Sequence, residues 1–212
     1  MKTFILFFIY ISSVFSQGMY LSRENGLSLG LIYGGNKDSK KLSVAATYSL
    51  SGFVDLSYAR STFLDEENTN NFQNEYFIRA YLLKEKMPVF LSGSFGYIYQ
   101  KTETELCYNF PLSVTRKGFA YEIGLHFSSG IKDKINPKLV TSIIYRYFNP
   151  EETMRVPTAT RTDKTILRSL VFESAIIYYF SEIGIIIGPG INLENDFKDI
   201  FYCINLTFMF RH

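Results

Sequence analysis

The chain has 212 residues, 47% of them hydrophobic and 17% aromatic, with no Trp, two Cys and a formal net charge of +2. So even a balance excludes a general nucleic-acid binder, which needs a basic surface. No segment beyond the N-terminal run approaches the ~18 consecutive apolar residues of a membrane helix.

The N-terminal run itself, Phe4 to Val14, follows Lys2 and is apolar but too short to span a bilayer, and small Ser16 stands where a signal peptidase would cut. Residues 1–16 are therefore expected to be a cleaved export signal and residues 17–212 the single mature domain; an uncleaved anchor is the alternative. Removing Lys2 with the signal lowers the net charge by one. No Cys lies near the cut, which argues against a lipoprotein. In an exported protein two Cys permit one disulfide. Cys107 falls in an expected outer loop and Cys203 on the inward side of the last strand, so two separate thiols are expected unless that loop folds inward.

Apolar alternation between turn signals predicts ten strands. The first covers about 26–34 (GLSLGLIYG), followed by the polar NKDSK and a second strand at 41–50. A tight Ser51-Gly52 turn starts the third, 53–61, and the polar LDEENTNNFQ reads as a long loop. The fourth, 74–83, turns at KEKMP into the fifth, 88–101. A long connection from Thr102 to Arg116 precedes the sixth, 118–128, and the seventh, 138–148. After the loop NPEETMRVPTATRTDK come the eighth at 165–180, the Ser181-Glu182 turn, the ninth at 183–192 and, past LENDF, the tenth. Eight strands remain the alternative if two segments are plug or loop.

The last strand carries the strongest signal. Tyr202, Ile204, Leu206, Phe208 and Phe210 alternate with residues that include Cys203, Asn205 and Thr207. Strict period-two alternation puts one face in an apolar medium and the other in a polar one. An aromatic stripe ending almost at the C-terminus resembles the terminal strand of small bacterial outer-membrane β-barrels, where a final Phe and alternating apolar residues form the assembly signal; here Arg211 and His212 follow it. The resemblance implies an all-β, antiparallel up-and-down transmembrane barrel, integral to the outer membrane of a Gram-negative bacterium. Expected partners are outer-membrane lipid, the barrel assembly machinery and another envelope protein, with no nucleic acid. Connections after strands 3, 5 and 7 are long and those after 2, 4 and 8 short, as expected for external loops and periplasmic turns.

A soluble barrel would reverse the two faces. The proposed lipid face collects Leu27, Leu29, Leu31, Tyr33, Val54, Leu56, Tyr58, Leu91, Phe95, Tyr97 and Tyr99; the other collects Ser28, Gly30, Ser43, Ala45, Thr47, Ser57, Ser92, Ser94 and Gly96. Small residues of that kind cannot fill a soluble core. With Trp absent, Tyr is expected to form the interfacial girdle.

The inward face is also expected to hold Asp55, Glu75, Arg79, Glu122, His126, Arg146 and Glu173, because charges facing lipid cost roughly 2–4 kcal/mol. Arg79 and Arg146 are the natural partners of Glu75, Glu122 and Glu173, so this set reads as a structural lumen network. His126-Phe127-Ser128, followed by Gly130 and Asn136-Pro137, resembles the His-x-Ser motif and trailing Asn-Pro of outer-membrane lipid A 3-O-deacylases, which implies a His base and a Ser nucleophile. That motif lies in the family's final hairpin, whereas four strands follow it here; Ser129 stands in place of the family's Asn; and no Glu follows before Glu151. The omptin proteases need a His-Asp pair at the external rim, which His126 and the terminal His212 cannot supply. No metal-ligand spacing is present. Gly188-Pro189-Gly190 lacks the Lys and helix of a phosphate loop, so a bulge or bend is expected there. The sequence thus predicts a non-enzymatic envelope barrel without cofactor or metal, acting through its external loops or as an accessory subunit. The alternatives are a narrow, porin-like gated channel or, less favoured, the deacylase.

Overall fold

The computed structural model describes residues 25–211 apart from 38, 65–69, 83–87, 107–109, 130–136, 181 and 195–198. The expected signal segment, Cys107, Asn136 and His212 lie outside the described residues. Eleven strands follow in order: β1 Gly26–Gly35, β2 Lys40–Leu50, β3 Val54–Phe63, β4 Asn70–Leu82, β5 Val89–Leu106, β6 Phe110–Ser128, β7 Lys138–Val156, β8 Ala159–Lys164, β9 Leu167–Phe180, β10 Ile183–Glu194 and β11 Asp199–Arg211.

Ten of these close a barrel. Each of β1 to β6 pairs antiparallel with the next, β6 with β7, β7 with β9, and β9 through β10 to β11. The ring shuts where β1 meets β11, from Gly26↔Arg211 to Gly35↔Tyr202. The eleventh strand, β8, pairs only with the upper part of β7. The expected all-β, ten-stranded antiparallel barrel is borne out.

Three segments expected as loops are strand. β4 begins at Asn70, β5 and β6 continue to Leu106 and back from Phe110, and β7 runs to Val156 before turning at Pro157-Thr158 into β8. These projecting hairpins carry polar residues on both faces, and the alternation that marks a strand with one apolar side is lost. At the opposite end the turn between β2 and β3 is tight. Ser51 and Gly52 have φ of 51° and 65°, and the Phe53 N–H reaches the Leu50 carbonyl at 3.1 Å. Positive φ at both central residues is the geometry of a two-residue hairpin turn. The Ser51 N–H is taken up by Asn25 Oδ1 at 2.8 Å.

No bulge interrupts β10. Ile187↔Ile176 and Gly190↔Glu173 keep one register on either side of Gly188-Pro189, so of the expected bulge or bend no bulge is present, and the ladder pairing lapses where Pro189 has no N–H to give. Gly188 is needed for the close approach of β9: a Cβ there would lie 2.3 Å from the Ser174 carbonyl oxygen and 2.8 Å from Ala175 Cα. Gly188→Ala should therefore lower stability by about 1–3 kcal/mol, the ordinary cost of overpacking. Urea unfolding of the refolded barrel checks this, and an unchanged midpoint would contradict it.

The outer wall is apolar all the way round. On β6 the outward side chains from Phe119 to Phe127 are Phe119, Tyr121, Ile123, Leu125 and Phe127, all exposed. They cover roughly 27 Å along the strand, or about 21 Å of height at the usual tilt of such strands. On β11 the exposed set is Tyr202, Ile204, Leu206, Phe208 and Phe210, while Asn205 and Thr207 are buried.

Candidate functional site

The inner wall differs from expectation. Besides Ser and Gly it carries Phe77, Tyr81, Phe90, Ile98, Ile144, Phe148, Ile177, Ile186 and Met209, all buried. Their strands place them on the same parity as the polar residues. Tyr81, Phe90, Val140, Ala175, Ile177, Ile186 and Met209 form one cluster near the end where β1 begins. Phe77, Ile98, Ala120 and Phe148 form a second, toward the hairpin end, with Leu167 packed against it. The interior is filled by side chains, and the small-residue face expected from the sequence describes only part of it.

The charged residues sit between these two clusters. Asp55, Arg79, Ser94, Glu122, Arg146 and Ser169 are successive partners in register across β3, β4, β5, β6, β7 and β9. Glu122 is the hub. It forms ion pairs with Arg79 and with Arg146, accepts a hydrogen bond from Arg146 Nε at 2.5 Å and another from Ser94 Oγ at 2.6 Å. Arg146 also donates through Nη1 to Glu75 at 3.1 Å, and its guanidinium lies 4.9 Å from the centre of the Phe77 ring. Gln73 donates to the other oxygen of Glu75 at 2.7 Å. Tyr81 donates to Asp55 at 3.1 Å. Every member of this group is buried.

Two of the residues singled out in the sequence stand apart. Glu173 is inside, but it forms no ion pair among the described residues, and its Oε2 has no hydrogen-bond partner. Arg79 and Arg146 both turn to Glu122 instead, which lies in register with them, whereas Glu173 is in register with Ser142. His126 joins no ion pair either. Its Nε2 lies 2.7 Å from Ser92 Oγ and its Nδ1 2.8 Å from Ser142 Oγ, under the stacked ring of Phe90. Both ring nitrogens are thus engaged by serines other than Ser128, and the ring is fully buried, so the base and nucleophile of a hydrolase are not brought together. Among the described residues no group of three His, Cys, Asp or Glu could hold a metal ion. Cys203 is a free thiol on the inner wall.

Further charged residues are buried and were not expected, among them Lys138 and Glu194. Arg116 forms an ion pair with Glu152 above the second apolar cluster, inside the hairpins read from sequence as loop. Lys41, buried, sits 5.6 Å from the centre of the Phe63 ring. Its parity with Ser43, Ala45 and Thr47 was a usable signal.

No protein-family profile matches the sequence, and no curated protein matches it. Solved structures with a similar shape include the translocator domain of the autotransporter NalP from Neisseria meningitidis, at 9% identity over 89% of this chain and 87% of that one, with a TM-score of 0.47. The outer membrane protease OmpT from Escherichia coli is 11% identical over 89% and 96% of the two chains, TM-score 0.47. The outer membrane protein Omp33 from Acinetobacter baumannii is 12% identical over 91% and 100%, TM-score 0.39. These likenesses concern overall shape and carry nothing about activity.

Proposed function

We propose that the chain is an integral outer-membrane barrel with a closed interior, exported with removal of residues 1–16, that has no enzymatic activity and acts through its external hairpins or as an accessory subunit of an envelope complex. The observation that carries this is the division of the wall: large apolar side chains cover the outside on every strand of the ring, while the ionic cluster and the two apolar clusters fill the inside. Soluble monomers rarely expose contiguous apolar patches beyond a few hundred Å². A closed barrel in lipid needs such a belt and leaves no backbone group unpaired at an edge. The tight β2–β3 turn and the two-residue step from β9 to β10 at one end, with the projecting β5–β6 and β7–β8 hairpins at the other, support an external position for the hairpins.

A narrow gated channel is the second reading, favoured by the line of charged groups. It requires both apolar clusters and the Glu122 ion pairs to part together, which makes it the weaker of the two.

The test is topological. A single cysteine at Thr158, with Cys107 and Cys203 replaced by Ser, should be labelled by a membrane-impermeant maleimide on intact cells. The mature chain should begin at Gln17 and fractionate with the outer membrane. Recovery in the soluble periplasm, or labelling only after the cells are opened, would contradict the proposal.

A further inference from the structure

The outward positions at the two rims differ in charge. At the turn end they are apolar: Leu50, Leu82, Phe127, Phe180 and Phe210. At the hairpin end the apolar band gives way to Lys40, Arg60, Lys101, Lys117, Lys164 and Arg168, set against Glu103 and Glu151. Lys101 is occupied by Glu103 at 2.5 Å, and Arg60 lies 5.2 Å from the centre of the Phe72 ring. Lys117, Lys164 and Arg168 form no ion pair among the described residues and are exposed.

Lys117 and Lys164 meet at one place, with Arg168 on the neighbouring strand. A depression of about 490 Å³ in the outer wall is lined by Phe119, Tyr121 and Tyr147 together with Lys117, Glu151 and Lys164. Lys117, Glu151 and Lys164 are successive partners across β6, β7 and β8, which sets the two lysines roughly 10 Å apart at ordinary strand spacing. Arg168 is the register partner of Tyr147 on the next strand of the ring. Glu151 leaves the three charges of the row at +1, and Arg168 raises the local balance to +2. The aromatic rings belong to the apolar band, and the cations stand directly above them.

We infer that this depression holds the phosphorylated headgroup of an outer-leaflet glycolipid, with Lys117 and Lys164 on the phosphate and Phe119, Tyr121 and Tyr147 against the first part of the acyl chains. The inference rests on the proposed placement of the hairpins outside. A lipid satisfies both halves of the site at once. An acidic peptide in solution would meet the cations but leave the aromatic wall below them to lipid, and a free phosphate would use none of it. Lys and Arg near an anionic lipid surface each strengthen attachment, and the effect is additive enough for two of them to be measured.

The experiment uses the purified, folded barrel in detergent, titrated by native mass spectrometry with a bisphosphorylated disaccharide glycolipid, the same lipid dephosphorylated, and inorganic phosphate. The phosphorylated lipid should bind about tenfold or more tightly than the dephosphorylated one. The double variant Lys117→Gln, Lys164→Gln should lose that preference, Lys40→Gln at the same rim should keep it, and inorganic phosphate should not displace the lipid. Equal binding of the two lipids, an unaltered double variant, an equal loss in Lys40→Gln, or displacement by inorganic phosphate would each overturn the inference. All variants are first checked for the heat-modifiable gel shift of a folded barrel in liposomes. A chain that fails to insert there contradicts the outer-membrane proposal, whereas one that inserts but ignores the phosphate contradicts only this inference.

Discussion

Replacing Glu122 with Ala should destabilise the barrel by about 3–5 kcal/mol, the usual cost of stranding a buried ionic partner. The size follows from the hub geometry. Glu122 meets Arg79 and Arg146 and takes the Ser94 hydroxyl as well, so its loss leaves the guanidinium of Arg79 without its carboxylate and Arg146 with Glu75 alone. Water cannot easily replace it, because apolar clusters lie above and below. Glu173→Gln provides the control. That carboxylate is buried to a similar degree but forms no ion pair among the described residues, so neutralising it should be neutral or stabilising. Urea unfolding in liposomes, read by the gel shift, would show a lower midpoint for the first variant only. If both variants behaved alike, burial rather than pairing would control the interior.

The second large effect concerns the outer face, which meets lipid on the proposed placement. Leu206→Arg should cost about 2–4 kcal/mol and cut the yield of folded barrel, since a guanidinium on the outer wall near the middle of β11 has no partner in lipid. Asn205→Asp, one residue away, should be far milder. Asn205 points inward and takes a hydrogen bond from Thr207 at 2.8 Å that a carboxylate can also accept. Thus adjacent positions with opposite orientation test the parity of the whole strand. Equal losses of folded protein would remove the assignment of faces.

Legibility in the sequence followed the physics of each region. Where a strand had one face in an apolar medium, as at Tyr202 to Phe210 or Leu27 to Tyr33, alternation marked it, and its parity fixed which residues turn inward. The upper parts of β5, β6 and β7 escaped because beyond the apolar band the outward positions are polar as well, so alternation fades even where Val114, Arg116 and Glu152 are buried on the inner side. Arg116 and Glu152 were lost with them. Period two also shows which side chains share the interior, but not how far along a tilted strand they meet. Glu122 and Arg146 proved to be register partners, and Glu173 fell beside Ser142 and His126 instead. The bulky inner residues were hidden for a related reason: Phe90, Ile98 and Ile144 interrupt an otherwise polar face, and a run such as Val89 to Leu91 reads as uniformly apolar.

A filled interior is the central claim, and planar-bilayer recording tests it most directly. The folded, inserted protein should give no steady conductance steps, because the Arg79, Glu122 and Arg146 ion pairs and the two apolar clusters occupy the cross-section; a large, steady conductance from the unmodified protein would show that the charged residues line an open pore.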